Sequence, residues 1–296
     1  MTEAAALAEA VRAFMDTQAG RAVSMVRLEV DDGSGTPRVL GTVLSPRQAK
    51  AVRDLARQHG AVAEVDVAAD PDSGLEQGWV EATIEVLDLW RVPARAGEEM
   101  GRQTQYIAAD GPLRRFGSDG DFLLVQGRDL ALGWAAASDL RATDATAARS
   151  EWSPTRRAVE GTAAPPVAGR VTTAAVLDRA RQELGVPYTW GGTTHAGYDC
   201  SGLLQRVLAD VSGVLLPRHT GDQRRVGARV VEDVRGGDLL FAAPIDQKVG
   251  HVLLMTSPST VLHACRTEHK VIEENLDDNA RRYRHQGYRR VVELEA

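Results

Sequence analysis

Cysteine is scarce in this sequence, with two residues, Cys200 and Cys265, among 296. Two thiols cannot build a disulfide framework, and these two lie far from any CxxC spacing. At most one bridge, Cys200 to Cys265, could form, and a reducing compartment is the simpler reading. No apolar run approaches the length of a membrane span. A basic excess is missing too: the formal net charge is −6, which argues against a nucleic-acid partner. Basic residues gather locally at Arg281, Arg282 and Arg284, but Asp277 and Asp278 precede them, and the cluster reads as solvated surface in preference to a phosphate or substrate site. No Walker or dinucleotide-binding glycine pattern occurs. The opening, MTEAAALAEAVRAFMD, lacks the basic n-region and unbroken apolar h-region of a signal peptide. With Met1 as the natural start, a cytoplasmic location is expected; a chain stripped of a signal would read the same way.

What is present fits a folded protein of two or three domains, with 43% hydrophobic and 26% charged residues. Residues 3–17 carry apolar side chains at helical spacing (Leu7, Val11, Phe14, Met15). SMVRLEVDDGSGTPRVLGTVL reads as a hairpin around a glycine-rich turn. The next helix has Ser45 as N-cap, Pro46 at its first position and Gly60 at its close. AVAEVDVAAD adds a strand, so residues 1–78 form a small α+β domain of order α-β-β-α-β. Residues 79–143 alternate in short runs broken by Gly, Pro and Asp, as in a small β-barrel. Residues 144–170 are rich in Ala, Pro and Arg with little periodicity, and read as a linker or an extended strap. A helix ending on Gly185 opens the last unit, residues 171–296.

That unit contains GVPYTWGGTTHAGYDCSGLLQRVL, residues 185–208. Leu203, Leu204, Val207, Leu208 and Val211 follow Cys200 at helical spacing, so Cys200 lies in the first turn of a helix. Free N–H groups and the positive end of the helix dipole favour a thiolate there. The same N–H groups can hold a developing oxyanion. The competing reading is a small cysteine buried under a loop, although Asp199 and Ser201 flank it where an apolar stripe would be expected. A nucleophilic thiol needs a base. VGHVLLMTSPSTVLHACR reads as a hairpin with His251 opening one strand and His263 in the other. With an odd loop, Leu253 opposes His263 and His251 is its diagonal neighbour on the same face, about 7–8 Å away. One imidazole then takes the thiol proton while the other orients it. A four-residue loop would put the two on opposite faces.

These residues carry a resemblance. YTWGG (188–192), DCSGL (199–203), LPRHTGDQ (216–223), GGDLLF (236–241), GHVLLM (250–255) and LHA (262–264) are similar, in order, to the NlpC/P60 family of papain-like cysteine peptidases. The resemblance implies a papain-like α+β fold and cleavage of peptidoglycan stem peptides between D-glutamate and a diamino acid. It implies Cys200 as nucleophile, His251 as general base and His263 as the orienting third member. It places Tyr188 beside the thiol as an aid to the oxyanion, Trp190 in the substrate cleft, and Asp199 and Ser201 on the substrate's N-terminal amine. Arg218 and Gln223 are expected to order the loop after the helix. Pro93, Arg95, Glu99, Thr104, Gln105, Gly133 and Trp134 resemble the bacterial SH3-like (SH3b) domain, and the N-terminal order and its GTVxS turn resemble the BON domain. The fold class expected is therefore α+β multidomain: a papain-like NlpC/P60 catalytic domain preceded by an SH3-like β-barrel and a small N-terminal α+β domain.

SH3b plus NlpC/P60 resembles a cytoplasmic recycling subgroup in which the barrel closes one end of the cleft, so that peptides with a free N-terminal L-Ala fit. Glu99 is then either the carboxylate that helps bind the amine or an exposed loop residue. Where the subgroup has an aromatic two residues before its Gly-Trp, this chain has Ala131. Either another aromatic such as Tyr106 replaces it, or the pocket is wider. Cys265 reads as a spare core thiol or a redox partner. His195 reads as a solvated loop residue, and His219, His269 and His285 as surface or structural. No metal or cofactor is expected, and the expected partner is a peptidoglycan-derived peptide, not nucleic acid or membrane. Besides a γ-D-glutamyl-L-diamino acid endopeptidase, a wall-peptide-binding module and an acyltransferase or amidase using the same thiol are the competing functions.

Overall fold

The computed structural model describes residues 3–18, 26–33, 35–67, 76–93, 101–153, 155–167, 169–245 and 250–295. Three larger sheets succeed one another along the chain. In the first unit, α1 (Glu3–Gln18), β1 (Val26–Asp31), β2 (Arg38–Val43), α2 (Pro46–Gln58) and β3 (Val62–Val67) follow the expected order. β1 runs antiparallel and β3 parallel to the central β2. Leu7 and Val11 of α1 and Ala49, Val52 and Ala56 of α2 bury against Val39, Val43 and Val65. Ser45 and Gln48 form a reciprocal capping box at the start of α2, which fixes its first turn.

The second sheet is antiparallel and contains β4 (Trp79–Ala82), β5 (Val86–Trp90), β6 (Arg102–Ile107), β7 (Leu113–Asp119), β8 (Phe122–Gln126), β9 (Leu132–Ala136) and β10 (Leu140–Thr143). Its order is β10-β4-β7-β8-β9-β5-β6. Leu140 from one edge and Tyr106 from the other pack on the same apolar cluster, with Leu87, Leu89 and Val125 between them. A sheet whose two edges share one core is curled, as the short alternating runs predict.

The segment expected to be a linker begins as a helix. α3 (Ala145–Trp152) is capped by Asp144, whose carboxylate accepts the Ala147 N–H at 2.8 Å. Its apolar face is made by Ala148 and Trp152, which bury against Trp79. The two indoles meet edge to face at 5.1 Å, and Trp152 Nε1 donates to the Pro112 carbonyl at 2.8 Å. Alanines hid this helix in the sequence, because small side chains give little amphipathic contrast. β11 (Arg156–Arg157) and bridges at Glu160, Ala164 and Thr172 run along the last unit.

That unit contains α4 (Thr173–Arg181), β12 (Thr193–Thr194), β13 (Gly197–Tyr198), α5 (Cys200–Ser212), β14 (Val214–Leu215), α6 (Thr220–Gln223), β15 (Ala228–Val230), β16 (Leu239–Pro244), β17 (His251–Ser257), β18 (Thr260–Cys265), β19 (Lys270–Asn275), α7 (Leu276–Ala280) and β20 (Tyr283–Arg290). The helix predicted to end on Gly185 stops at Arg181, and a turn carries the chain to Gly185 at φ 84°. The antiparallel sheet has order β15-β20-β16-β17-β18-β19. One face, with Phe241, Val252, Leu254 and Leu262, buries α4 and α5. The other carries a smaller cluster around Leu253, Met255, Val261 and Tyr283.

Candidate active site

The chain enters α5 through a glycine-rich loop that lies directly on the first helical turn. A Cβ on Gly202 would sit 2.0 Å from the Gly192 carbonyl oxygen, so only glycine fits. Asp199 is the N-cap and accepts the Gly202 N–H at 2.7 Å. This leaves Cys200 at the head of the helix, as the apolar spacing predicts. Behind the turn, Arg218 pairs with both carboxylate oxygens of Asp199 (2.6 and 3.1 Å) and donates to Ser201 Oγ at 2.9 Å. Gln223 donates to the carbonyls of Ser201 (3.1 Å) and Pro217 (2.9 Å). Arg218 and Gln223 thus tie the following loop back to the first turn of α5.

The histidine geometry depends on a bulge. Pro258 and Ser259 form a two-residue turn, since Ser257 faces Thr260. An even turn alone would leave the histidines on opposite faces. The register shifts between Met255 and Ser257, with Thr256 as the extra residue, and Met255 faces Val261 while Leu254 faces Leu262. The bulge restores the odd spacing. His251 Nε2 then lies 2.7 Å from His263 Nδ1. The line continues one strand further, where His263 Nε2 is 2.9 Å from Glu274 Oε1. Glu274 also accepts from Asn279 Nδ2 at 2.8 Å and pairs with Arg282. Tyr283 stacks on His251 with centroids 4.7 Å apart and planes at 13°, which holds the ring.

The two halves meet at the end of β17. The backbone of Val252, next to His251, lies close to Cys200 Sγ, and Thr220 Oγ1 is 3.7 Å from the sulfur. Cys200 and His251 line one cavity of about 1000 Å³, together with Tyr188, Trp190, Asp199 and Ser201. The charges there fix the tautomers. Hydrogen bonds from His263 and Asn279, with the nearby Arg282, outweigh burial and hold the Glu274 carboxyl down at about 2. An anionic Glu274 requires a proton on His263 Nε2, which leaves Nδ1 as an acceptor. His251 must then carry its proton on Nε2, so its Nδ1 is the free base. Burial, with His263 and Arg282 nearby, pushes His251 well below the usual imidazole value. Burial and Asp199 push the Cys200 thiol up to about 11, against Thr220, the Val252 backbone and Arg218. Burial thus works against the helix end, which favours the thiolate.

Residues 185–290 match the family model described as the NlpC/P60 family. The chain carries an NlpC/P60 domain. The gamma-D-glutamyl-L-lysine dipeptidyl-peptidase of Bacillus subtilis is 39% identical over 87 residues, 28% of this chain and 29% of that protein. The gamma-DL-glutamyl hydrolase of Bacillus subtilis is 32% identical over 148 residues, 49% of this chain and 35% of that protein. The peptidoglycan endopeptidase RipB of Mycobacterium tuberculosis is 36% identical over 110 residues, 32% of this chain and 44% of that protein. The matched stretch spans less than half the length of each of these relatives.

Within the NlpC/P60 domain the structure redistributes several expected roles. The Asp199 carboxylate already accepts from Gly191 N, Gly202 N, Ser201 Oγ and both Arg218 amino groups. These five donors make it the cap and clamp of the helix, and it also borders the cavity. Tyr106 is not in the cavity. Its ring is buried in the barrel core, and its hydroxyl donates to Asp129. Tyr106 is therefore not the replacement aromatic, and Ala131 borders a separate cavity of about 390 Å³, also lined by Leu215 and His219. Glu99 lies outside the described residues. Cys265 is fully buried, with its thiol 3.2 Å from Thr267 Oγ1, and both thiols are free. His195 stays in the loop, on Glu183 at 2.7 Å.

The sequence reading missed Glu274; it preferred solvated surface to a substrate site for Arg281 and Arg282, and left His219 and His269 as surface or structural. All four of the latter line the cavity, with Arg224 and Arg266. A signal for Glu274 existed in the strand period: it stands two residues beyond Ile272, which faces His263, and so shares the histidine face.

Proposed function

We propose that the NlpC/P60 domain is a cysteine peptidase that hydrolyses the γ-D-glutamyl-L-diamino acid bond of peptidoglycan stem peptides. The observation that carries this reading is the line His251, His263, Glu274, whose open end lies in the same cavity as the Cys200 thiol at the head of α5, a cavity large enough for a short peptide. The similarity to relatives named as γ-glutamyl and peptidoglycan peptidases supports the substrate class.

His251 Nδ1 takes the Cys200 proton as the sulfur attacks the γ-carbonyl, so the charged nucleophile forms only in step with bond formation. Gly202 N–H is occupied by Asp199, which leaves the N–H groups of Cys200 and Ser201 at the helix end for the oxyanion. Burial keeps the Tyr188 hydroxyl protonated, and it serves as a further donor beside the thiol. The imidazolium returns its proton to the leaving amine and an acyl-enzyme remains. Water, deprotonated by His251, attacks the thioester; the tetrahedral intermediate expels the Cys200 thiolate, which regains its proton from His251.

The finer reading is a muropeptide with a free N-terminal L-Ala, handled in cytoplasmic wall recycling. Its support is the curled barrel beside the cavity and the likeness of that barrel's sequence to SH3b domains. Mass spectrometry of the protein with L-Ala-γ-D-Glu-diaminopimelate, its N-acetylated copy and a Cys200→Ala control tests both levels. Release of L-Ala-D-Glu from the free peptide alone, lost in the control, is the expected result. Cleavage of both peptides removes the free-amine requirement and keeps the peptidase. No cleavage of either refutes the peptidase reading.

A further inference from the structure

The cavity carries the opposite sign to the chain. Its one carboxylate among the described residues is Asp199, already neutralised by Arg218. Four arginines line it. Arg281 pairs with Asp278 at 3.3 Å, and Arg282 is neutralised by Glu274 and Glu268. Arg224 and Arg266 have no carboxylate partner among the described residues. Arg224 is held by a neutral group, Gln286 Oε1, at 2.6 Å. Arg266 lies over the Trp190 ring, 6.0 Å from its centroid. Each guanidinium is thus steadied without losing its charge.

Along the sheet the two lie to opposite sides of His251, one after β18 and the other held by β20. Arg266 follows β18 and stacks beside Tyr188 and Trp190, on the side of the thiol where the loop before α5 forms the wall. Gln286, which holds Arg224, sits in the bulge of β20 beside Ala242, and Ala242 pairs with His251. Arg224 therefore lies beyond His251, the residue that hands its proton to the departing amine. A γ-D-glutamyl residue presents its α-carboxylate next to the scissile bond on the acyl side. On the leaving side, diaminopimelate presents a side-chain carboxylate that lysine lacks.

We propose that this cavity grips two carboxylates flanking the scissile bond: Arg266 takes the α-carboxylate of the γ-D-glutamyl residue and Arg224 the side-chain carboxylate of the leaving diamino acid. The reading rests on the peptidase function above and adds its specificity. Diaminopimelate is then the preferred leaving residue, although one relative is named for a lysine bond. Guanidinium and carboxylate match in planar, two-pronged geometry, which a lysine ammonium on the ligand cannot offer.

The test compares L-Ala-γ-D-Glu-meso-diaminopimelyl-D-Ala with the same peptide amidated on the diaminopimelyl side-chain carboxylate, a change of charge at nearly constant shape. A second pair carries D-glutamate or D-isoglutamine at residue two. Rates of the wild type, Arg224→Gln and Arg266→Gln are measured, and binding of all four peptides to Cys200→Ala is followed by calorimetry. The wild type should prefer the free diaminopimelyl acid about tenfold in kcat/KM. That ratio should collapse toward one in Arg224→Gln and persist in Arg266→Gln. The glutamate over isoglutamine ratio should collapse in Arg266→Gln alone. Equal use of both diaminopimelyl forms by the wild type, or a ratio that survives Arg224→Gln, overturns the proposal. If the wild type cleaves nothing, the peptidase reading fails; the binding ratios in Cys200→Ala then decide the carboxylate grip by themselves.

Discussion

Glu274 touches no part of the substrate cavity, yet it determines which nitrogen of His251 is basic. Its charge fixes the His263 proton on Nε2, and that in turn fixes the His251 proton on Nε2. Glu274→Gln keeps an acceptor but removes the charge. The expected result is a fall in kcat of about tenfold to a hundredfold with KM unchanged, because only the transition state holds an imidazolium. The pH profile adds a readout that a merely structural role would not move. The acid limb of kcat/KM reports protonation of the free base, which burial already sets below the ordinary histidine value. Removing a nearby negative charge disfavours the cation further, so the limb moves to still lower pH. A limb that stays in place with kcat intact would show that Glu274 has no part in setting the base. Cys200 and the two histidines were legible in the sequence because a thiol at a helix start and two histidines across a turn are unusual placements. Glu274 was not: in EENLDD it looks like one more charge leaving an edge strand, and only the pairing of β18 with β19 gives it a histidine.

At the scale of elements, the histidine pair depends on one extra residue. A two-residue turn and a one-residue bulge give the same face as an odd loop, and SPST cannot say which solution the chain takes. Parity was therefore readable as a condition on the site, but its cause was not. The start of α5 was readable from the apolar spacing after Cys200, whereas its caps, Asp199 and Gly213 in the left-handed conformation at φ 70°, came only with the structure. The helix α3 was not, because its stability comes from tertiary contact: one indole docked on Trp79 and on the Pro112 carbonyl. Trp152→Ala should cost about 3–5 kcal/mol, as for other buried tryptophans, and leave a buried carbonyl without its donor. Thermal unfolding of the variant should show the loss, while kcat/KM for the free peptide stays at the wild-type value. An unchanged melting temperature would mean that α3 contributes nothing to the barrel.

At the scale of the molecule, the curled second sheet is bound to the helix that carries Cys200. Arg206 of α5 makes a two-pronged pair with Asp110 of the barrel at 2.9 and 3.0 Å, and its neighbour Gln205 donates to Asp129 at 2.7 Å. Thr193, in the loop before α5, donates to the Gln105 carbonyl at 2.9 Å. Arg102 of the barrel fills the space in front of Gly191, so that a Cβ there would sit 2.8 Å from its side chain. The barrel thus backs the loop that presents Trp190 to the cavity. None of this was legible in the sequence. Arg206 reads as the polar side of an amphipathic helix, and Asp110 as a turn residue; nothing in one sequence joins charges 96 positions apart. The pair is mostly buried, so its bonds are charge-assisted and poorly screened. Barrel and NlpC/P60 domain should therefore unfold in a single calorimetric transition. Arg206→Ala should lower it and resolve the barrel as a separate, earlier step. The cycle with Asp110→Ala should give a coupling of about 1–3 kcal/mol. Two transitions already present in the wild type, or additive single variants, would mean that the barrel rests against α5 without stabilising it, and that the Trp190 loop holds its place unaided.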